Sequence, residues 1–159
     1  MQNALAIKIN SCHRSIKAGI TASFIAGAVF GAISGATGML PTIARLLGGD
    51  SVIFGLMTNT LFSVVFGLFF AVFLGCKTTG KTKNIALGLA FSLVLWFLGP
   101  LIIMPWLLGI GSQLSKQGIQ MALPSLWGHL VYGFILGLVY TAIAKNGKGV
   151  KSGIRFDRT

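Results

Sequence analysis

The sequence predicts an all-α integral membrane protein: four transmembrane helices, arranged as two parallel duplicated helical hairpins, with N and C termini cytoplasmic. Three observations carry this. Four long windows are nearly free of Lys, Arg, Asp and Glu. The basic residues gather between and beyond those windows, mostly on one side. The second half of the chain repeats the pattern of the first. Composition agrees, with 54% hydrophobic and 9% charged residues against about 25% charged in a soluble domain.

Each window is long enough to cross a ~30 Å hydrocarbon core as a helix. They place helix 1 at Ala18–Leu40, helix 2 at Ser51–Gly75, helix 3 at Asn84–Leu108 and helix 4 at Gln117–Ala144. A membrane barrel would show ~10-residue strands of alternating polarity. The run from Phe62 to Leu74 is continuous and has no period of two. Backbone groups in lipid must bond within their own segment, so helices are the consistent solution. Residues 1–17 are expected as a cytoplasmic N-terminal segment, 18–144 as the membrane domain (repeats 18–76 and 84–144), and 145–159 as a basic cytoplasmic tail.

The net charge of +11 raises a nucleic-acid partner, and the placement of the charges argues against one. Lys8, Arg14 and Lys17 precede helix 1. Lys77, Lys81 and Lys83 lie between helices 2 and 3. Lys145, Lys148, Lys151, Arg155 and Arg158 follow helix 4. Of thirteen basic residues only Arg45 and Lys116 fall in the other loops, which leaves eleven on one side. The positive-inside rule makes that side cytoplasmic. The expected partners are the lipid bilayer, anionic lipids at the basic face, and other membrane subunits or a second copy. The first apolar run exceeds the h-region of a signal peptide and ends in no A-x-A site, so it is read as retained. Cys12 and Cys76 fall on the cytoplasmic side, where thiols stay reduced. With His13 they lack the spacing of a metal site. No metal and no cofactor is expected.

The repeat is read from "LFSVVFGLFFAVFLG" (61–75) over "WGHLVYGFILGLVYT" (127–141), where Gly67 meets Gly133 and Ser63 meets His129. "GMLPTIARLLG" lies over "LIIMPWLLGIG", with Pro41 on Pro105. Duplicated units with an even number of helices share one orientation, as in parallel-repeat transporters. Pro41 and Pro105 suit the first turn of short helices at the outer interface, with Trp106 in the aromatic belt. Gly99-Pro100 marks a break in helix 3, read as a kink; a substrate-lined break is the alternative.

Small residues recur every fourth position. Helix 1 carries Gly19, Ser23, Gly27, Gly31 and Gly35. Helix 2 carries Gly55, Asn59, Ser63, Gly67, Ala71 and Gly75. Helix 4 carries Ser125, His129, Gly133, Gly137 and Thr141. Positions four apart share a helix face, and in lipid such faces are where helices approach closely. Gly27, Gly31, Gly35, Gly67, Gly133 and Gly137 are the expected packing positions. Helix 3 (Asn84, Gly88, Ser92, then Trp96 and Pro100) reads as more lipid-facing. Helix 2, rich in Phe, must be covered by lipid or a partner, and lipid is the simpler cover.

Ionisable groups within a membrane are functional hypotheses by default, so His129 is weighed three ways. A haem or metal ligand wants a second ligand, and His13 lies outside the windows. A proton relay wants a carboxylate, and the only acids, Asp50 and Asp157, are also outside. A packing histidine needs only a hydroxyl, amide or carbonyl, and Asn59, Ser63 and Ser125 are the expected partners. The third reading leads. The stretch "GHLVYGFILGLVY" (128–140) is similar to the last helix of uncharacterised small four-helix bacterial inner-membrane proteins. That resemblance implies a bacterial inner-membrane location and no activity. The leading expectation is a non-enzymatic accessory or scaffold subunit, or a homo-oligomer. The alternative is a small transporter or channel with Asn59, His129 and Pro100 near the midplane. No nucleophile–base set favours an enzyme.

Overall fold

The computed structural model describes residues 2–74 and 80–149, and all regular structure in them is helical. The elements are α1 (Gln2–Ala36), α2 (Leu40–Arg45), α3 (Val52–Phe69), α4 (Lys81–Leu98), α5 (Met104–Leu107) and α6 (Lys116–Gly149). A π-helical turn, Phe70–Leu74, extends α3, and another, Gly99–Ile103, joins α4 to α5. Four spans are long and apolar enough to cross a membrane: Ser15–Ala36, Val52–Phe73, Lys81–Leu107 and Lys116–Ala144.

The ends follow local chemistry. α1 stops at Gly38, whose φ of 70° suits glycine, and the Met39 N–H reaches back to the Ser34 carbonyl at 2.8 Å. Gly109 (φ 74°) ends α5 in the same way, with Ile110 N–H on the Pro105 carbonyl at 2.8 Å. Both are left-handed C-terminal caps. Ser51 caps α3 by accepting the Phe54 N–H at 3.1 Å, and Ser115 does so for Gly118 at the start of α6. Each satisfies a backbone donor that the first helical turn leaves free.

Several boundaries differ from expectation. α1 begins at Gln2 rather than Ala18, because a basic residue ends a membrane span without ending a helix. Helix 1 stops before Leu40, which instead opens α2 with Pro41 in its first turn. At Gly99-Pro100 the helix does not break. Proline has no N–H to donate, and the chain passes it in a π turn. The turn's Leu101 carbonyl accepts the Gln113 N–H at 2.7 Å, which folds the loop after α5 back onto the helix. Gly75, Cys76 and Lys77 lie outside the described residues, as do Lys151, Arg155, Asp157 and Arg158.

Packing joins α1 to both α3 and α6, and α6 to both α1 and α4. Gly19 lies against Gly67 and Ala71, and Gly31 against Asn59 and Leu56, so α1 and α3 are antiparallel. Asn84 meets Thr141 and Trp96 meets Ser125, so α4 and α6 are antiparallel too. A buried alanine stripe, Ala18, Ala22 and Ala26, packs with Phe70, Tyr132, Leu136 and Tyr140 to form the core. The seams are displaced by one turn between the two helix pairs. Ser63 opposes Gly27, but Ser92 opposes Gly133 rather than His129, the position aligned with Ser63.

Candidate functional site

The polar residues of the spans form two seams. In the first, the Asn59 amide donates to the Gly27 carbonyl at 2.9 Å. Ser63 donates to the Asn59 carbonyl at 2.8 Å. Ser23 donates to the Ser63 carbonyl, and its hydroxyl also meets that of Tyr132. This cluster ties α1, α3 and α6 together. Glycine makes it possible: a methyl on Gly31 would lie 2.9 Å from the Asn59 amide nitrogen.

The second seam joins α4 and α6. Asn84 donates to the Thr141 hydroxyl at 3.0 Å, and Thr141 to the Gly137 carbonyl at 2.8 Å. Gly88, Gly133 and Gly137 bring the two backbones together; a methyl on Gly137 would lie 2.6 Å from Ile85 Cα. Two turns further along α4, the Trp96 indole N–H reaches both the Ser125 hydroxyl and the Ala122 carbonyl at 3.1 Å. The Thr58 hydroxyl and the Asn84 side-chain oxygen are buried without a partner among the described residues.

Of its three expected partners, His129 bonds one, Ser125, through the main-chain carbonyl. It bonds neither Ser63 nor Asn59, nor the Ser125 hydroxyl. Its Nδ1 lies 2.9 Å from the Ser125 main-chain carbonyl, one turn back on its own helix. Across the interface its neighbour is Phe30, edge-on at 4.9 Å. Phe30 also meets Tyr132 edge-on at 6.3 Å. Pro100 is half-buried in the π turn, away from the first seam. Gly35 is exposed; with Gly31 it lines an open groove of about 480 Å³ on the outer flank of α1 and α3, beside Phe24, Leu40, Leu56 and Thr60.

Tyr132 is the principal residue that sequence reasoning missed. Its phenol reaches from α6 to the α1–α3 seam. The signal was available as a second step-of-four face on helix 4: Gly128, Tyr132, Leu136, Tyr140. Helix 3 is the least buried of the four spans, in line with its expected lipid-facing character, while its Asn84, Gly88 and Ser92 are buried. Comparison with protein-family models, curated proteins and solved structures finds no match. What stands is a class: an all-helical chain with four helices long and apolar enough to cross a membrane.

Proposed function

We propose that this protein is a non-enzymatic structural component of a bacterial inner membrane, acting as an accessory or scaffold subunit or as a homo-oligomer. The observation that carries the reading is the use of the polar side chains. Asn59, Ser23, Tyr132, Asn84 and Trp96 all bond from one helix to another. Interhelical bonds and close backbone approach are what hold helices together in lipid, so these residues build a rigid bundle. The large apolar side chains left exposed on α3, Ile53, Met57 and Phe73 among them, offer lipid or a partner a broad face.

The same proposal includes two duplicated hairpins of one orientation, with the basic side and both termini in the cytoplasm and anionic lipids against it. Purification in mild detergent, followed by mass spectrometry of the intact particle, tests it. A stoichiometric partner or a discrete homo-oligomer is expected. A stable monomer that carries a measurable flux in liposomes refutes the scaffold reading and favours transport.

A further inference from the structure

The groove between α1 and α3 opens to the membrane, not to the bundle. Ala28, Gly31, Ala32 and Gly35 of α1 floor it as far as Phe24, and Leu56 and Thr60 of α3 form its other wall. Ala26, two residues before Ala28, packs in the core with α6. Two residues at about 100° each turn a side chain to the opposite side of a helix, so Ala28 points away from α6. Phe24, Ala28, Ala32, Gly35 and Leu56 are all exposed.

Its length and depth match one leaflet. From Phe24 to Gly35 is eleven residues along α1, about 16 Å at 1.5 Å per residue. Half of a ~30 Å hydrocarbon core is ~15 Å. The apolar span of α1 is Ser15–Ala36, so Gly35 lies at its α2 end and Phe24 near its middle. On α3, Leu56 and Thr60 fall in the first half of the span Val52–Phe73. The groove therefore runs from one membrane surface to the midplane, where Phe24 is its last lining residue.

Its width selects the occupant. About 480 Å³ along ~16 Å is a mean cross-section of roughly 30 Å². A helix of ~10–12 Å diameter needs roughly 80–110 Å², so a helix of a second copy does not enter it. A single polymethylene chain, touching its walls at ~4 Å, needs about 15–20 Å² and fits. The one hydroxyl in the lining, on Thr60, already donates to the Leu56 carbonyl at 2.8 Å, so a polar ligand finds no free donor. At the membrane surface Leu40 closes the lining, and the exposed Arg45 follows five residues later on α2. We propose that this groove is a binding site for one phospholipid, with an acyl chain along Ala28 and Ala32 and the phosphate on Arg45. The proposal rests on the chain spanning a bilayer and is independent of its role as a scaffold.

The full chain in mild detergent, titrated with palmitoyl-oleoyl phosphatidylglycerol and read by native mass spectrometry, is expected to hold one lipid per chain. Glycerol phosphate, the headgroup without acyl chains, should not displace it. Ala32→Phe fills the groove from an exposed position and should abolish this binding, as should Ala28→Phe one turn deeper. Ala90→Phe, the same change at an exposed position of α4, should leave it intact. Arg45→Gln should weaken it about fivefold, the equivalent of the ~1 kcal/mol that one basic residue contributes at an anionic lipid surface. Circular dichroism checks the fold of each variant, and either groove variant suffices. No retained lipid, displacement by glycerol phosphate, an equal loss in Ala90→Phe, or binding unchanged by a groove variant or by Arg45→Gln overturns the proposal. Unfolding of both groove variants, or a dimer that Ala32→Phe splits, shows that protein fills the groove and overturns it as well.

Discussion

Gly67 and Gly35 are both rungs of small-residue ladders, yet they sit in opposite surroundings. Adding a methyl to each separates packing from helix propensity. Gly→Ala in a helix stabilises by roughly 0.5–1 kcal/mol when nothing else changes. At Gly35 the new methyl would find only the Leu40 side chain, at 3.4 Å, so Gly35→Ala should gain up to that amount. At Gly67 it would lie 2.5 Å from Ser23 Cβ and 2.7 Å from the Gly19 carbonyl oxygen. Neither is the end of a flexible side chain, so no rotamer change relieves the clash and α1 must back away from α3. Over-packing costs typically 1–3 kcal/mol. Ser23 also holds the bonds to Ser63 and Tyr132, and loosening these adds ~0.6 kcal/mol apiece. Less the propensity gain, Gly67→Ala should lose about 1–4 kcal/mol. Reversible unfolding in mixed micelles, followed by circular dichroism, measures both variants against the parent. A Gly67→Ala protein as stable as Gly35→Ala refutes the claim that the α1–α3 seam is set by backbone contact.

Three further predictions follow from the same geometry. A reporter fused after Thr159 should be active only in the cytoplasm and one inserted between Gly48 and Asp50 only outside; the reverse pattern sinks the orientation drawn from the basic residues. Tyr132→Phe keeps the ring against Phe30 and removes only the hydroxyl on Ser23, so it should cost ~0.6 kcal/mol and no more than about 1.7 by the same unfolding measurement. His129→Leu should change stability by less than that, since the bond it loses lies within one helix turn; unfolding or loss of assembly in this variant shows that His129 joins α6 to another helix after all.

Much of this arrangement was legible in one chain. Charge placement bounded the four spans, because a buried charge in lipid is costly wherever the helix ends. The ladders named Gly27, Gly31, Asn59, Ser63 and Gly67 before any partner was known. Two things were not legible. Helix ends were read as membrane ends, so the helical stretch before Ala18 was missed. Partner choice was missed too, because a ladder states that something packs on it without stating what. Tyr132 shows the difficulty: it reads as one more apolar residue until Ser23 is placed opposite.

One residue of offset explains the rest of the bundle. On α1 the stripe Ala18, Ala22, Ala26 faces α6, and the next residues along, Gly19, Ser23 and Gly27, face α3. On α6, Tyr132 and Leu136 face α1, and the next residues, Gly133 and Gly137, face α4. Adjacent residues on an α-helix point about 100° apart at 3.6 residues per turn. Each central helix therefore holds its two neighbours at nearly a right angle. Because α1 and α6 are antiparallel, the step from one residue to the next turns clockwise on one and anticlockwise on the other when both are viewed from the same end. The two right angles then bend to the same side, and α3 and α4 are carried back toward each other without a ladder between them. Two angles of 100° rather than 90° leave that fourth side wider than the others. Large rings can bridge such a side and methyls cannot, which is why Phe70 and Phe91 close it at one end.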